Sequence, residues 1–112
     1  MQLSELAAML GASVENTCPD DQEITCGYTC DLLSWVMAKG KPGCAWVTVQ
    51  THLNVVAVAS LHDMACIIHP EGIAPDPASV AKATEEGIAI LRSEKTAYDI
   101  CRLLADAGIA SA

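Results

Sequence analysis

From Trp46 onward the chain alternates short, uninterrupted apolar runs with longer amphipathic stretches, and this alternation restricts the fold more than any other feature. Ala45–Val49, Ala65–His69 and Ile88–Leu91 each read as a strand, an apolar run bounded by turn residues. Between the last two, Asp76 caps a helix with Pro77 at its first position and Gly87 just past its end. After Leu91, Ser93 caps a final helix that buries Ile100, Leu103 and Leu104 and stops at Gly108. The segment Val55–Ala59 reads two ways. It is either the second strand of a hairpin turning at His52–Asn54, or part of a helix that Thr51 caps and that runs to about His62. The helix is favoured, because about ten residues separate that turn from the next clear strand, Ala65–His69. The resulting β-α-β-α-β-α order implies an α/β fold, a mostly parallel sheet of about five strands with right-handed crossovers and helices on its faces.

The first half adds flanking elements. Leu3, Leu6, Ala7 and Leu10 recur at helical spacing, with Ser4 near the start and Gly11 as the stop. A short apolar piece surrounds Val14, and Ile24–Tyr28 reads as a strand with Gly27 as a bulge. These two segments are placed at an edge, where antiparallel pairing is open to them. Asp31 reads as the N-cap of a helix whose Leu32, Leu33, Val36 and Met37 form one apolar face, ended by Gly40–Gly43. No repeat, linker or low-complexity tract interrupts the chain, so residues 1–112 are expected to form one domain.

Charge narrows the partners. Fourteen acidic against six basic residues give a net charge of −8, which opposes both nucleic acid and an anionic membrane surface. The longest apolar run, Val55–Ala59, is far shorter than the ~18 residues of a membrane span. The first residues lack the basic and apolar regions of a secretory signal. A cytoplasmic location is therefore expected, and with it free thiols for the six cysteines.

In open parallel sheets, ligands collect at the carboxyl ends of the strands, where loops lead into helix N-termini. Three such junctions are legible: Thr48–Asn54, His69–Gly72 and Arg92–Thr96. The first is the most polar. Thr48, Gln50, Thr51, His52 and Asn54, with Glu71, Gly72 and Ser93 from the other two, are the candidate ligand-binding residues, suited to a small anionic or nucleotide-like metabolite. The plainer alternative is that Thr51 only caps a helix while the others satisfy nearby backbone groups. The helix from His52 to Asp63 is apolar nearly all round, so it is buried on more than one side. Either flanking helices cover it or a second subunit does. A homodimer is expected, with this helix or the neighbouring Trp35 and Met37 near the contact.

Catalytic signatures are missing. The chain has no P-loop and no nucleophile elbow. A Cys30–His52 dyad rests on no spacing, and Asp20–Asp21 and Glu85–Glu86 occupy turn and helix-end positions where a solvated face is expected. No metal and no cofactor is expected, since His52, His62 and His69 lack ligand spacing. The alternative is a redox or metal-binding protein using Cys18, Cys26 and Cys30. In an extended strand Cys26 and Cys30 share a face but lie about 13 Å apart, beyond one disulfide or one metal unless the chain turns at Gly27.

The segments Thr25–Tyr28, Asp31–Met37 and Trp46–Ala59, then Ala65–Ile68 with Pro70–Gly72 and Glu86–Ile88, resemble the DRTGG domain family. The resemblance spans roughly residues 1 to 109 and is nearest to stand-alone members. It implies an α/β fold similar to the N-terminal domain of HPr kinase/phosphorylase. It also implies a regulatory, dimer-forming role, as for relatives beside phosphotransacetylase and CBS-containing pyrophosphatase modules, and so a partner protein. The serine kinase label that such members carry does not transfer without a P-loop. The name-giving Asp-Arg-Thr-Gly-Gly string is absent, and its nearest match is Glu23–Gly27, with Cys26 in place of a glycine.

Overall fold

The computed structural model describes residues 1–17 and 20–112. Its elements, in order, are α1 (Leu3–Leu10), β1 (Ser13–Val14), β2 (Cys26–Thr29), α2 (Leu33–Lys39), β3 (Cys44–Val47), α3 (Leu53–Leu61), β4 (Cys66–His69), α4 (Pro77–Glu86), β5 (Ala89–Arg92) and α5 (Ala97–Asp106). The five strands form one sheet in the order β1-β5-β4-β3-β2. Strands β2 to β5 are parallel, and β1 joins the far edge antiparallel to β5.

Each crossover advances one strand in the same direction, and right-handed connections of that kind put every crossover helix on one face. That face carries α2, α3 and α4 over Cys26, Cys44, Trp46, Ile67 and Ile90. The opposite face carries α1 and α5 over Ala45, Val47, Cys66, Ile68, Ala89 and Leu91. With both faces covered, every residue of β3 and β4 is buried, which is why these strands read as continuous apolar runs. Trp46 is the largest fully buried side chain, and its Nε1 donates to the Cys30 carbonyl at 2.9 Å.

The segment after His52 is helical, as expected, and the hairpin alternative is discarded. Other local expectations need correction. The strand expected from Ile24 begins at Cys26 and pairs parallel to β3 in unbroken register from Cys26↔Cys44 to Thr29↔Val47, so Gly27 is no bulge. Gly27 instead leaves room for the C-terminal segment, its N–H donating to the Ala110 carbonyl and its carbonyl accepting from the Ala112 N–H.

Three expected caps also move. Leu32, His52 and Thr96 stand at the N-caps where Asp31, Thr51 and Ser93 were expected. Asp31 is drawn off to the β3 loop, Thr51 to α4, and Ser93 into the interior, where its hydroxyl donates to the Leu10 carbonyl at 2.9 Å. Asp76 and Pro77 do begin α4, although the Asp76 carboxylate makes no bond to its own helix. Gly11 and Gly87 end α1 and α4 in the left-handed region.

Candidate functional site

The carboxyl ends of β2, β3, β4 and β5 lie along one rim because these strands are parallel. Alternation along each strand puts Thr48, His69 and Arg92 in a row on the face covered by α2–α4, one step beyond Trp46, Ile67 and Ile90. The helices α3 and α4 both start at this rim, and their starts are tied together. Thr51 Oγ1 donates to Asp76 Oδ1 at 3.1 Å, and Ser79 Oγ donates to the Thr51 carbonyl at 2.7 Å.

The β3 loop is braced from the other side by the segment after β2. Asp31 Oδ1 accepts from Thr48 Oγ1 at 2.8 Å and from the Val49 N–H at 3.0 Å. Thr48 Oγ1 accepts from the Gln50 N–H, and Gln50 Nε2 reaches the Asp31 carbonyl at 3.3 Å. His52 caps α3, its Nδ1 accepting from the Asn54 N–H at 3.1 Å. A ring that accepts at Nδ1 carries its proton on Nε2, and the residue is exposed.

Beneath the rim sits His69, only 1% exposed. Its Nδ1 donates to the Thr48 carbonyl at 2.8 Å, since a carbonyl can only accept. Burial holds this imidazole below its ordinary pKa, against the opposing pull of the Thr48 carbonyl, Asp76 and Glu15. In the neutral ring Nε2 is then an acceptor.

The other two junctions interlock by backbone. The Ser93 N–H donates to the His69 carbonyl, the Gly72 N–H to the Ser93 carbonyl and the Glu71 N–H to the Lys95 carbonyl. Glu71 and Gly72 take up this turn at φ 57° and 68°. A Cβ on Gly72 would sit 2.5 Å from a Glu94 carboxylate oxygen, so that carboxylate lies directly over the glycine. Arg92 Nε donates to the Gly72 carbonyl at 2.7 Å, and its guanidinium meets Glu15 at 3.5 Å.

Of the expected site residues, Thr48, Gln50, Thr51 and His52 belong to one connected loop, with Asn54 in the first turn of α3. Gly72 joins Ser93, and Glu71 joins Lys95, through backbone hydrogen bonds, and His69 links the two groups. Much of this polarity is spent internally: Thr48 and Ser93 are buried with bonded hydroxyls. His52, Asn54, Gln50 and Glu71 are the exposed members. Sequence reasoning placed His69 at a strand-end junction without counting it among the binding residues, and read Asp31 and Asp76 only as helix caps. The available signal was position alone: His69 closes β4, Asp31 follows β2 and Asp76 precedes α4. Two concavities lie elsewhere. One of about 310 Å³ is lined by Gly27, Thr29, Cys101, Leu104 and Ile109, and one of about 440 Å³ by Ser4, Ala7, Val14 and Asp21.

Only part of the Cys18, Cys26 and Cys30 set falls within the described residues. Cys18 lies outside the described residues, Cys26 faces Cys44 across the sheet, and Cys30 Sγ donates to the Leu32 carbonyl at 3.7 Å. No hydrogen bond joins Cys30 to His52. Among the described residues, no group of three or more His, Cys, Asp or Glu is arranged to hold a metal ion. No helix among them is long and apolar enough to cross a membrane.

No protein-family model matches the chain, and no curated protein sequence matches it. A solved structure does: the crystal structure of the CBS and DRTGG domains of the regulatory region of Clostridium perfringens pyrophosphatase, complexed with its activator diadenosine tetraphosphate. The TM-score is 0.72 at 13% identity, over 91% of this chain and 45% of the other. The two share a fold, and this chain spans under half of that chain's length.

Proposed function

We propose that this protein is a non-catalytic, ligand-sensing regulatory domain of the DRTGG kind. In this reading it binds a small anionic or nucleotide-like metabolite at the rim formed by Thr48, Gln50, Thr51, His52, Asn54, Glu71, Gly72 and Ser93, and acts in the cytoplasm as a homodimer. The observation that carries the reading is the convergence of the α3 and α4 N-termini on one strand-end rim, joined by the Thr51–Asp76 bond. Two helix starts on one side favour an anion, and the Nε2–H of the exposed His52 adds a side-chain donor. The fold shared with a pyrophosphatase regulatory region bound to a nucleotide activator supports the regulatory class. The acidic neighbours Asp31 and Asp76 are already held by hydroxyl and amide donors, which lessens their repulsion of a phosphate.

Self-association is supported by the apolar side chains left on α2, α3 and the residues leading into them. Leu32, Met37, Val49 and Leu53 are exposed there, Trp35 is 63% exposed and Leu61 68%. Soluble domains rarely leave several large apolar side chains uncovered on neighbouring elements.

Differential scanning fluorimetry and calorimetry with diadenosine tetraphosphate, AMP and ATP, each with and without Mg²⁺, test the ligand. At least one should raise the melting temperature of the wild type. His52→Ala should abolish that shift while keeping the far-UV spectrum. A panel of nucleotides with no shift, or a shift that His52→Ala leaves intact, removes the rim as a nucleotide site.

A further inference from the structure

We propose that Cys26 and Cys44 form a cross-strand dithiol that hydroperoxides close into a reversible disulfide, a modification site within the sheet. The two residues are directly opposed in the parallel β2–β3 register, so their side chains leave the same face at the same level. Both belong to the cluster under α2 and α3, and both are free thiols. Burial first, and the adjacent Cys26 thiol second, push the Cys44 thiol up to about 12.

Adjacent strands lie about 4.8 Å apart, within the Cα separation that a disulfide spans; closure requires the Cβ atoms to draw in to about 3.8 Å. Strand β2 can supply that movement. It is one of the sheet's two edge strands, hydrogen-bonded to β3 on one side and held on the other through Gly27 by Ala110 and Ala112. A bond closed under such tension is more easily reduced than a relaxed structural one.

Access assigns the order of events. Cys26 is 7% exposed and Cys44 fully buried, so a molecule as small as hydrogen peroxide meets Cys26 first. The Cys26 sulfur attacks one peroxide oxygen and becomes a sulfenic acid; the departing hydroxide takes the thiol proton and leaves as water. The Cys44 thiol, which burial keeps protonated at neutral pH, gives up its proton to the sulfenic hydroxyl as its sulfur displaces it; the hydroxyl leaves as a second water, and this closure is the slow step. Two thiols are oxidised, one peroxide is reduced, and a thiol reductant reverses the change.

The test treats the protein with hydrogen peroxide under native conditions, blocks remaining thiols with N-ethylmaleimide in denaturant, and maps peptides without reduction. A Cys26–Cys44 linked pair is expected, with two fewer alkylated thiols than the reduced control, both restored by dithiothreitol. Cys44→Ala should lose the linked pair and Cys101→Ser should keep it; the wild-type map decides the matter even if a variant does not fold. Recovery of Cys26 and Cys44 as alkylated thiols while Cys30 and Cys101 are oxidised would overturn the proposal. So would linkage of Cys26 to Cys18 or Cys30, or between two chains.

Discussion

Asp31 holds Thr48: its carboxylate accepts the Thr48 hydroxyl at 2.8 Å and the neighbouring Val49 amide at 3.0 Å, so the segment after β2 fixes the loop after β3. Both donors go unpaired if the carboxylate is removed. Asp31→Ala is therefore expected to destabilise the fold by about 1–2 kcal/mol, the usual size for charge-assisted bonds discounted for solvent exposure. Asp31→Asn, which keeps one acceptor oxygen, should lose less. Urea denaturation of the three proteins measures both. A wild-type midpoint in Asp31→Ala would mean the brace carries no load.

Stability should fall on mild acidification through His69. Its imidazole is held below the ordinary value of 6.5 by burial, so the unfolded chain binds a proton at a pH where the folded chain does not. The contribution is complete above pH 6.5 and is lost as pH falls through the unfolded value toward the lower folded one. Denaturation free energies at pH 7.5 and pH 5.5 should differ more for the wild type than for His69→Gln, which retains a donor for the Thr48 carbonyl. Equal pH dependence in the two proteins would assign the effect to other groups.

A second copy over α2 and α3 should depend on Trp35, the exposed indole of α2. Sedimentation equilibrium of the wild type at micromolar concentration is expected to give a dimer, and Trp35→Glu a monomer with an unchanged far-UV spectrum, since Trp35 packs in neither core cluster. A monomeric wild type removes the dimer outright.

The sheet was readable because β3 and β4 are buried on both faces. Double burial writes itself into the chain as unbroken apolar runs such as Ala45–Val47 and Cys66–Ile68, and only parallel strands between helices produce them in alternation. What escaped was the destination of polar side chains. Asp31, Thr51 and Ser93 are residue types that cap helices, and each lies within a few positions of a helix start. A tertiary partner claimed each one: Thr48, Asp76 and Leu10. Local capping preference is worth about 1 kcal/mol, and a buried carbonyl or a loop needing a brace competes on equal terms. His69 was hidden for a similar reason. As the last residue of an apolar run it looks like a strand end, and only the sheet register sets it beneath the helix starts.

The strand order has a consequence for how the chain assembles. Strands β2, β3, β4 and β5 are laid down in sequence, each beside the one before, so a growing polypeptide can wind them one after another. Strand β1 must wait, because Ser13 pairs with Arg92 and Val14 with Leu91, most of the chain away. Until β5 and α5 are made, α1 keeps Leu3, Leu6 and Leu10 without the α5 residues Ile100 and Leu104 that share their core. The incomplete domain is thus most exposed to misassociation at α1, and closing that seam is the step on which complete burial depends.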